Sequence, residues 1–191
     1  MKSKISWLVI ASSLAVVAAC SSQKKEPAAP AALTFHEVMK DKVDVNADAL
    51  WDVSNSAIGE NAGIDASKMT DESWAQIQQR ATAVQQAALE IAKMDPIILA
   101  KPGVKIADEG VPGGDTAAGV QQNIDKDPQK LRDFANTLAS HMGDLAAAAM
   151  AHDAAKAGPL VDQLDSVCED CHLEFWYPGQ RDLLEQYGIK R

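Results

Sequence analysis

Near the C-terminus the chain reads Val167-Cys168-Glu169-Asp170-Cys171-His172, a stretch that holds two of its three cysteines and one of its four histidines. In a helix Cys168 and Cys171 stand three residues apart and Cys168 and His172 four, so two thiols and an imidazole project from one face and can grip a single object. Several chemistries use such groups. A thioredoxin-like CxxC redox pair expects a βαβ context, and no run of alternating Val, Ile and Thr suggests strands here. A zinc site needs four ligands, and the sequence has no second motif of Cys or His type to complete the set. A disulfide between two cysteines three apart in a helix is sterically poor.

The fourth chemistry is covalent attachment. C-x-x-C-H is the signature of c-type haem attachment, in which the two thiols add to the vinyl groups and the adjacent imidazole binds the iron. On this reading Cys168 and Cys171 carry one haem c through thioethers, and His172 is the proximal iron ligand.

The N-terminus supplies an independent reason. MKSKISWLVIASSLAVVAAC has a basic start with Lys2 and Lys4, an apolar stretch from Ile5 to Ala19 interrupted by Ser12 and Ser13, and small residues at its end, the layout of an export signal. The apolar stretch is short for a membrane span of roughly 20 residues. Covalent haem attachment takes place outside the bacterial cytoplasm, so motif and signal agree. Val17-Ala18-Ala19-Cys20 resembles the lipobox of bacterial lipoproteins, which implies that residues 1–19 are removed and that Cys20 is lipidated; cleavage at an ordinary Ala-x-Ala site is the alternative. Ser21 rather than aspartate follows the cysteine, which by resemblance to enterobacterial sorting implies a periplasmic protein anchored to the inner leaflet of the outer membrane. One cysteine then anchors lipid and two anchor haem, leaving no free thiol in an oxidising compartment. SSQKKEPAAPAA, the remainder of segment 20–32, reads as a tether, and residues 33–191 as the haem domain. Without the two signal lysines the formal charge moves from −9 to about −11, which disfavours nucleic acid as a partner.

The elements that must position the motif read as helices. The composition is 47% hydrophobic with only 5% aromatics and leans on alanine. Thr34 and Glu37 fit a capping box opening a first helix, whose apolar face (Phe35, Val38, Met39, Val43, Leu50, Trp51, Val53) extends to about Asn55 with a break near Asn46. A second opens at Thr70 with Asp71 and Glu72 in its first turn, and Trp74, Ile77, Ala81, Val84, Ala88 and Ile91 recur at bundle spacing until Pro96 stops it. Prolines and glycines crowd the stretch of about 95–125, read as a long loop that is either a contact surface or an insertion. Asp127 and Pro128 open a third helix with the stripe Leu131, Phe134, Leu138, Met142, Leu145 and Ala149, ending before Gly158. Pro159 opens a fourth carrying Val161, Leu164, Cys168, Cys171, His172 and Phe175, which Pro178 and Gly179 end.

A CxxCH motif on the last of four antiparallel helices resembles the cytochrome c′ family, the class II cytochromes c. Class I cytochromes place the motif near the N-terminus and draw a methionine ligand from downstream, and no methionine follows His172 here. The resemblance covers roughly Leu33 to Tyr177 and rests on CEDCH. It implies an all-α fold, an antiparallel up-down four-helix bundle with covalently bound haem on the C-terminal helix. Many members follow the haem histidine with an aromatic and then a basic residue; here Phe175 is followed by Trp176, Tyr177 and Pro178, read as haem or core packing rather than electron relays. Such relatives often pair through their first two helices, so a homodimer is an open option, with the Trp74 segment serving packing or association.

Within the family the sixth coordination position decides the chemistry. Low-spin members take a methionine from the first helix, and Met39, just over one turn past Thr34, is the matching candidate; His36 is the other, and core filling is the bland alternative for Met39. Met94, His141, Met142, Met150 and His152 receive no role. With both axial positions filled, the expected function is electron transfer to unidentified redox partner proteins, not enzymatic catalysis. With the position open, the expected function is capture of small gases such as nitric oxide or carbon monoxide. A peroxidase would need a distal acid–base pair, and His36 has no arginine near it in sequence. No nucleophile elbow, catalytic carboxylate pair or phosphate-binding glycine loop is present.

Overall fold

Side-chain caps decide where the helices begin. In the computed structural model, which describes residues 32–59 and 63–189, the Thr34 hydroxyl accepts from the Glu37 N–H at 3.3 Å and the Glu37 carboxylate accepts from the Thr34 N–H at 2.8 Å. This is the reciprocal capping box that the sequence TFHE predicts. The export signal, Cys20 and the tether up to Ala31 lie outside the described residues.

Behind Thr34 runs α1 (Phe35–Val38), then a π-helical segment (Met39–Asp44), then α2 (Val45–Ser56). The irregularity expected near Asn46 thus lies one to two turns earlier and is a widening rather than a break. The Asn46 amide donates to the Lys42 carbonyl at 2.7 Å, occupying a backbone acceptor beside the widened turns. A 3₁₀ turn (Ala66–Lys68) leads to α3 (Asp71–Ala92), whose first-turn Ser73 N–H donates to the Thr70 hydroxyl at 3.1 Å. Every residue of the expected α3 seam is buried, Trp74 included. Trp74 is itself buried and stacks on the exposed His152 ring at 5.5 Å between ring centroids.

The stretch read as one long loop is irregular only as far as Thr116. Thr116 caps a further helix, α4 (Ala117–Lys126), by accepting from the Gly119 N–H at 3.2 Å. Val120 and Ile124 of α4 are fully buried, so the breaker density upstream had hidden a short amphipathic helix. Asp127 then caps α5 (Pro128–Met150), accepting from the Lys130 N–H at 3.0 Å, with Pro128 at the first helical position as expected.

The start of the next helix differs from expectation. The turn falls at Ala151–Asp153, where His152 takes a left-handed backbone, φ 52°, and Asp153 caps α6 (Ala154–Phe175) through the Lys156 N–H at 3.1 Å. Gly158 and Pro159 therefore sit inside α6. A Cβ at Gly158 would come within 3.2 Å of the Ile64 backbone nitrogen, so the glycine serves close packing rather than termination. Pro159 removes the N–H that would reach the Ala155 carbonyl, and Ala155 is exposed, so water can take its place. After α6 the chain turns at Tyr177–Gly179 into α7 (Gln180–Gln186), an element with no counterpart in the sequence reading.

The chain is all-α: among the described residues no strand forms, only a single isolated bridge between Ile58 and Ile64. No described helix is long and apolar enough to cross a membrane. Helix α3 packs against both α2 and α5, and α5 packs against α6. Leu50, Ile77, Val84, Met142, Leu145 and Leu164 are fully buried between them, each such side chain contributing roughly 1.5–3 kcal/mol on leaving water. Polar ties run between opposite ends of neighbours: Lys42 to Glu90 at 2.6 Å, Arg132 to the Met94 carbonyl at 2.9 Å, and Lys130 to Glu174 at 2.7 Å.

Candidate functional site

Helix α6 places Cys168, Cys171 and His172 on one wall of a cavity of about 580 Å³, within the ~300–1,000 Å³ typical of cofactor and ligand sites. The remaining walls come from five other parts of the chain. Phe35, His36, Met39, Lys40 and Asp44 face it from the first helix, Ile91 from the end of α3, and Lys105 to Asp108 from the segment between α3 and α4. Leu131, Phe134, Ala135 and Leu138 form a floor from α5, and Trp176 and Tyr177 close the end beyond α6.

Met39 stands at the first position of the π-helical segment, half-buried and packed against the core. Widened turns of this kind are rare and recur at functional sites, because they change the direction in which the following side chains leave the helix. His36 lines the same cavity one turn earlier, and its backbone N–H donates to the Leu99 carbonyl at 2.8 Å. Both sixth-ligand candidates therefore share a space with His172. Among the described residues the other histidines and methionines do not line it. The His141 Nε2 donates to the Leu160 carbonyl at 2.7 Å, His152 stacks on Trp74, Met142 is fully buried in the core, and Met150 is exposed.

The electrostatics of the α6 wall are those of a buried, electronegative surround. Burial, then the Asp165, Asp44 and Glu169 carboxylates, push the Cys168 thiol up to about 11. Burial, followed by Cys168 and Glu174, pushes Cys171 up to about 12. Both are therefore thiols at neutral pH, whereas redox and nucleophilic cysteines need a depressed pKa. Burial lowers the His172 imidazole below its ordinary value, opposed by Glu169, Asp44, Asp108 and Asp165, so the ring is favoured in its neutral, metal-ligating form. Asp44, at the rim, is raised above the usual carboxylate range by desolvation, with His172 pulling the other way.

Aromatic packing holds the end of the wall. Trp176 meets Phe35 edge-on at 5.6 Å and His172 at 6.2 Å, and Phe134 meets Phe175 edge-on at 6.2 Å. The His172 carbonyl accepts from the N–H groups of both Trp176 and Tyr177 at 2.8 Å, which fixes the helix end directly behind the imidazole. Trp176 is nearly fully buried, in keeping with a packing role.

The donor set suits a haem in kind: two protonated thiols and a neutral imidazole on one wall, apolar side chains across the floor, and a thioether on the first helix. Among the described residues no group of three or more His, Cys, Asp and Glu side chains converges to hold a metal ion by itself. Lys40, Asp44 and Lys105–Asp108 also line the cavity, and no motif in the sequence marks them. Leu131, Phe134 and Leu138 were legible as the α5 stripe, but the wall from the α3–α4 segment carries no local pattern that announces it. No protein-family model matches this chain, and no curated protein or solved structure matches it significantly.

Proposed function

We propose that this chain is an electron-transfer cytochrome of the class II, cytochrome c′-like kind, with one covalent haem c and His/Met axial ligation. The observation that carries the reading is that Cys168, Cys171 and His172 on α6 and Met39 on the first helix line one cavity, though Met39 and Cys168 are 129 positions apart in sequence. In this reading Cys168 and Cys171 would hold the haem through thioethers, each S–H adding across a vinyl group, and His172 and Met39 would be the two side chains that ligate its iron. Bound there, the haem supplies a one-electron iron couple. The chain's part is to hold both axial groups on packed helices so that little rearrangement accompanies the change in charge. The fold proposed is the antiparallel up-down four-helix bundle formed by the first helix, α3, α5 and α6. Its support is the pairing of opposite helix ends by Lys42 with Glu90, Arg132 with Met94, and Lys130 with Glu174.

The proposal extends to export and anchoring: a lipid on Cys20, a periplasmic location at the outer membrane, and redox proteins as partners. Its support here is the sequence of residues 1–20 alone.

The test is made on protein exported and matured in a host that attaches haem. Acid–acetone extraction should leave the absorption with the polypeptide, and the double substitution Cys168→Ala with Cys171→Ala should lose it. Haem that extracts intact from the wild type sinks the covalent reading. Reduced wild-type protein that takes up carbon monoxide immediately has an open iron, and the gas-binding function then replaces electron transfer.

A further inference from the structure

The segment between α3 and α4 is tied down at several points. Its early part lies against the first helix, where the Ile98 and Leu99 carbonyls accept from the Phe35 and His36 N–H groups at 2.8 Å. Its last part is fastened to the end of α6, with the Asp115 N–H donating to the Trp176 carbonyl at 3.0 Å. Between these ties runs Lys105–Asp108, the cavity wall, in which only Ile106 is buried. Little apolar contact holds such a stretch, so individual polar ties weigh heavily on whether it stays closed.

Asp108 adopts a left-handed backbone with φ 59°. Aspartate visits that region more readily than most residues, but it persists where the surroundings over-determine it. Tyr177 supplies the hold: its hydroxyl donates to Asp108 Oδ2 at 2.6 Å. The same tyrosine donates its backbone N–H to the His172 carbonyl at 2.8 Å and sets its ring edge-on to the His172 imidazole at 6.0 Å and 82°. One line of contacts runs from the cavity wall through a carboxylate and a phenol to the imidazole.

We propose that Asp108 and Tyr177 form a latch that keeps the Lys105–Asp108 wall closed over the cavity and fixes the plane of the His172 ring. Both are positioning residues, acting on the iron through His172. The effect on the iron rests on the haem reading above; the latch on the wall does not.

Two variants test the latch. Tyr177→Phe keeps the ring and removes the donor, while Asp108→Asn keeps an acceptor oxygen for the phenol and removes the charge. Amide hydrogen exchange is followed at Val111 and Asp115, whose N–H groups donate to the Asp108 and Trp176 carbonyls. Tyr177→Phe should exchange about tenfold faster there, a loss of about 1.4 kcal/mol of local protection. Asp108→Asn should stay near the wild type. In the ferric low-spin spectrum by electron paramagnetic resonance, Tyr177→Phe should change the g-value spread as the imidazole plane is freed. Asp108→Asn should keep that spread, since the phenol retains an acceptor oxygen at residue 108. Unchanged exchange in Tyr177→Phe overturns the latch, and faster exchange with an unaltered g-value spread overturns the positioning of His172. Mass spectrometry of the same samples separates the two layers: a chain carrying no haem mass defeats the haem reading, while the exchange comparison still decides the latch.

Discussion

Replacing Met39 by alanine takes away the one thioether among the described residues that lines the cavity. A fully buried methionine cut to alanine costs about 2–5 kcal/mol. Met39 is half-buried and touches the core from one side, so about 1–2.5 kcal/mol is expected from the same rule. For a chain of this size each kcal/mol moves the midpoint by about 2–4 °C, giving a fall in Tm of roughly 2–10 °C. Against a total stability of about 5–15 kcal/mol the variant stays folded at room temperature. Its spectroscopy can therefore be read without the complication of unfolding. The oxidised wild type should be low-spin with a weak sulfur-to-iron band toward the red, and its reduced form should take up carbon monoxide slowly. Met39→Ala should become high-spin and bind carbon monoxide readily, with a far-UV circular dichroism spectrum like the wild type's below the melt. A low-spin spectrum unaffected by Met39→Ala refutes thioether ligation, and the same series on His36→Ala then decides whether the imidazole one turn earlier is the ligand. A wild type already high-spin refutes six-coordination by either residue.

Thr34→Ala removes the acceptor for the Glu37 N–H at the start of the first helix and should cost about 0.5–2 kcal/mol in urea unfolding; no loss would mean that the capping box does not hold the helix that carries Met39. Lys101, then the Thr34 backbone and side chain, hold the Glu37 carboxyl down at about 2. Its contribution to stability is therefore present above the ordinary carboxylate range and lost as pH falls toward 2. Glu37→Gln should flatten that part of the acid limb in melts between pH 5 and pH 2 relative to the wild type, and superimposable limbs would refute the assignment. Cys20→Ser should release the chain from membranes into the soluble periplasmic fraction, and unchanged membrane association would remove the lipid anchor.

Helix starts were legible wherever the signal is carried by a few adjacent residues. The Thr34 capping box, the Thr70 cap and the Asp127-Pro128 opening each act on an N–H two or three residues away, so the tertiary structure has little power to overrule them. The buried seam of α3 was likewise readable from its 3 and 4 spacings, because one helical face needs no knowledge of what covers it. Gly158 and Pro159 misled for the complementary reason. Breakers report the average cost of glycine and proline, whereas this glycine is used for close approach by the Ile64 backbone and this proline frees only an exposed carbonyl. The local signal that did mark the start of α6, the Asp153 cap, lay six residues upstream of Pro159.

The amino-acid sequence by itself determined that Cys168, Cys171 and His172 share a helical face, since that follows from spacing and the helical repeat alone. It determined the all-α class through alanine-rich periodic stretches and their caps. What faces that triad was decided only by the tertiary structure. The cavity is assembled from Phe35, Met39, Ile91, Ile106, Leu131 and Trp176, residues of separate elements that meet because their helices pack. The widening at Met39–Asp44 and the left-handed Asp108 held by Tyr177 belong to the same level. The left-handed Asp108 is held by a residue 69 positions away, so no window of neighbouring residues contains the partner that makes it favourable.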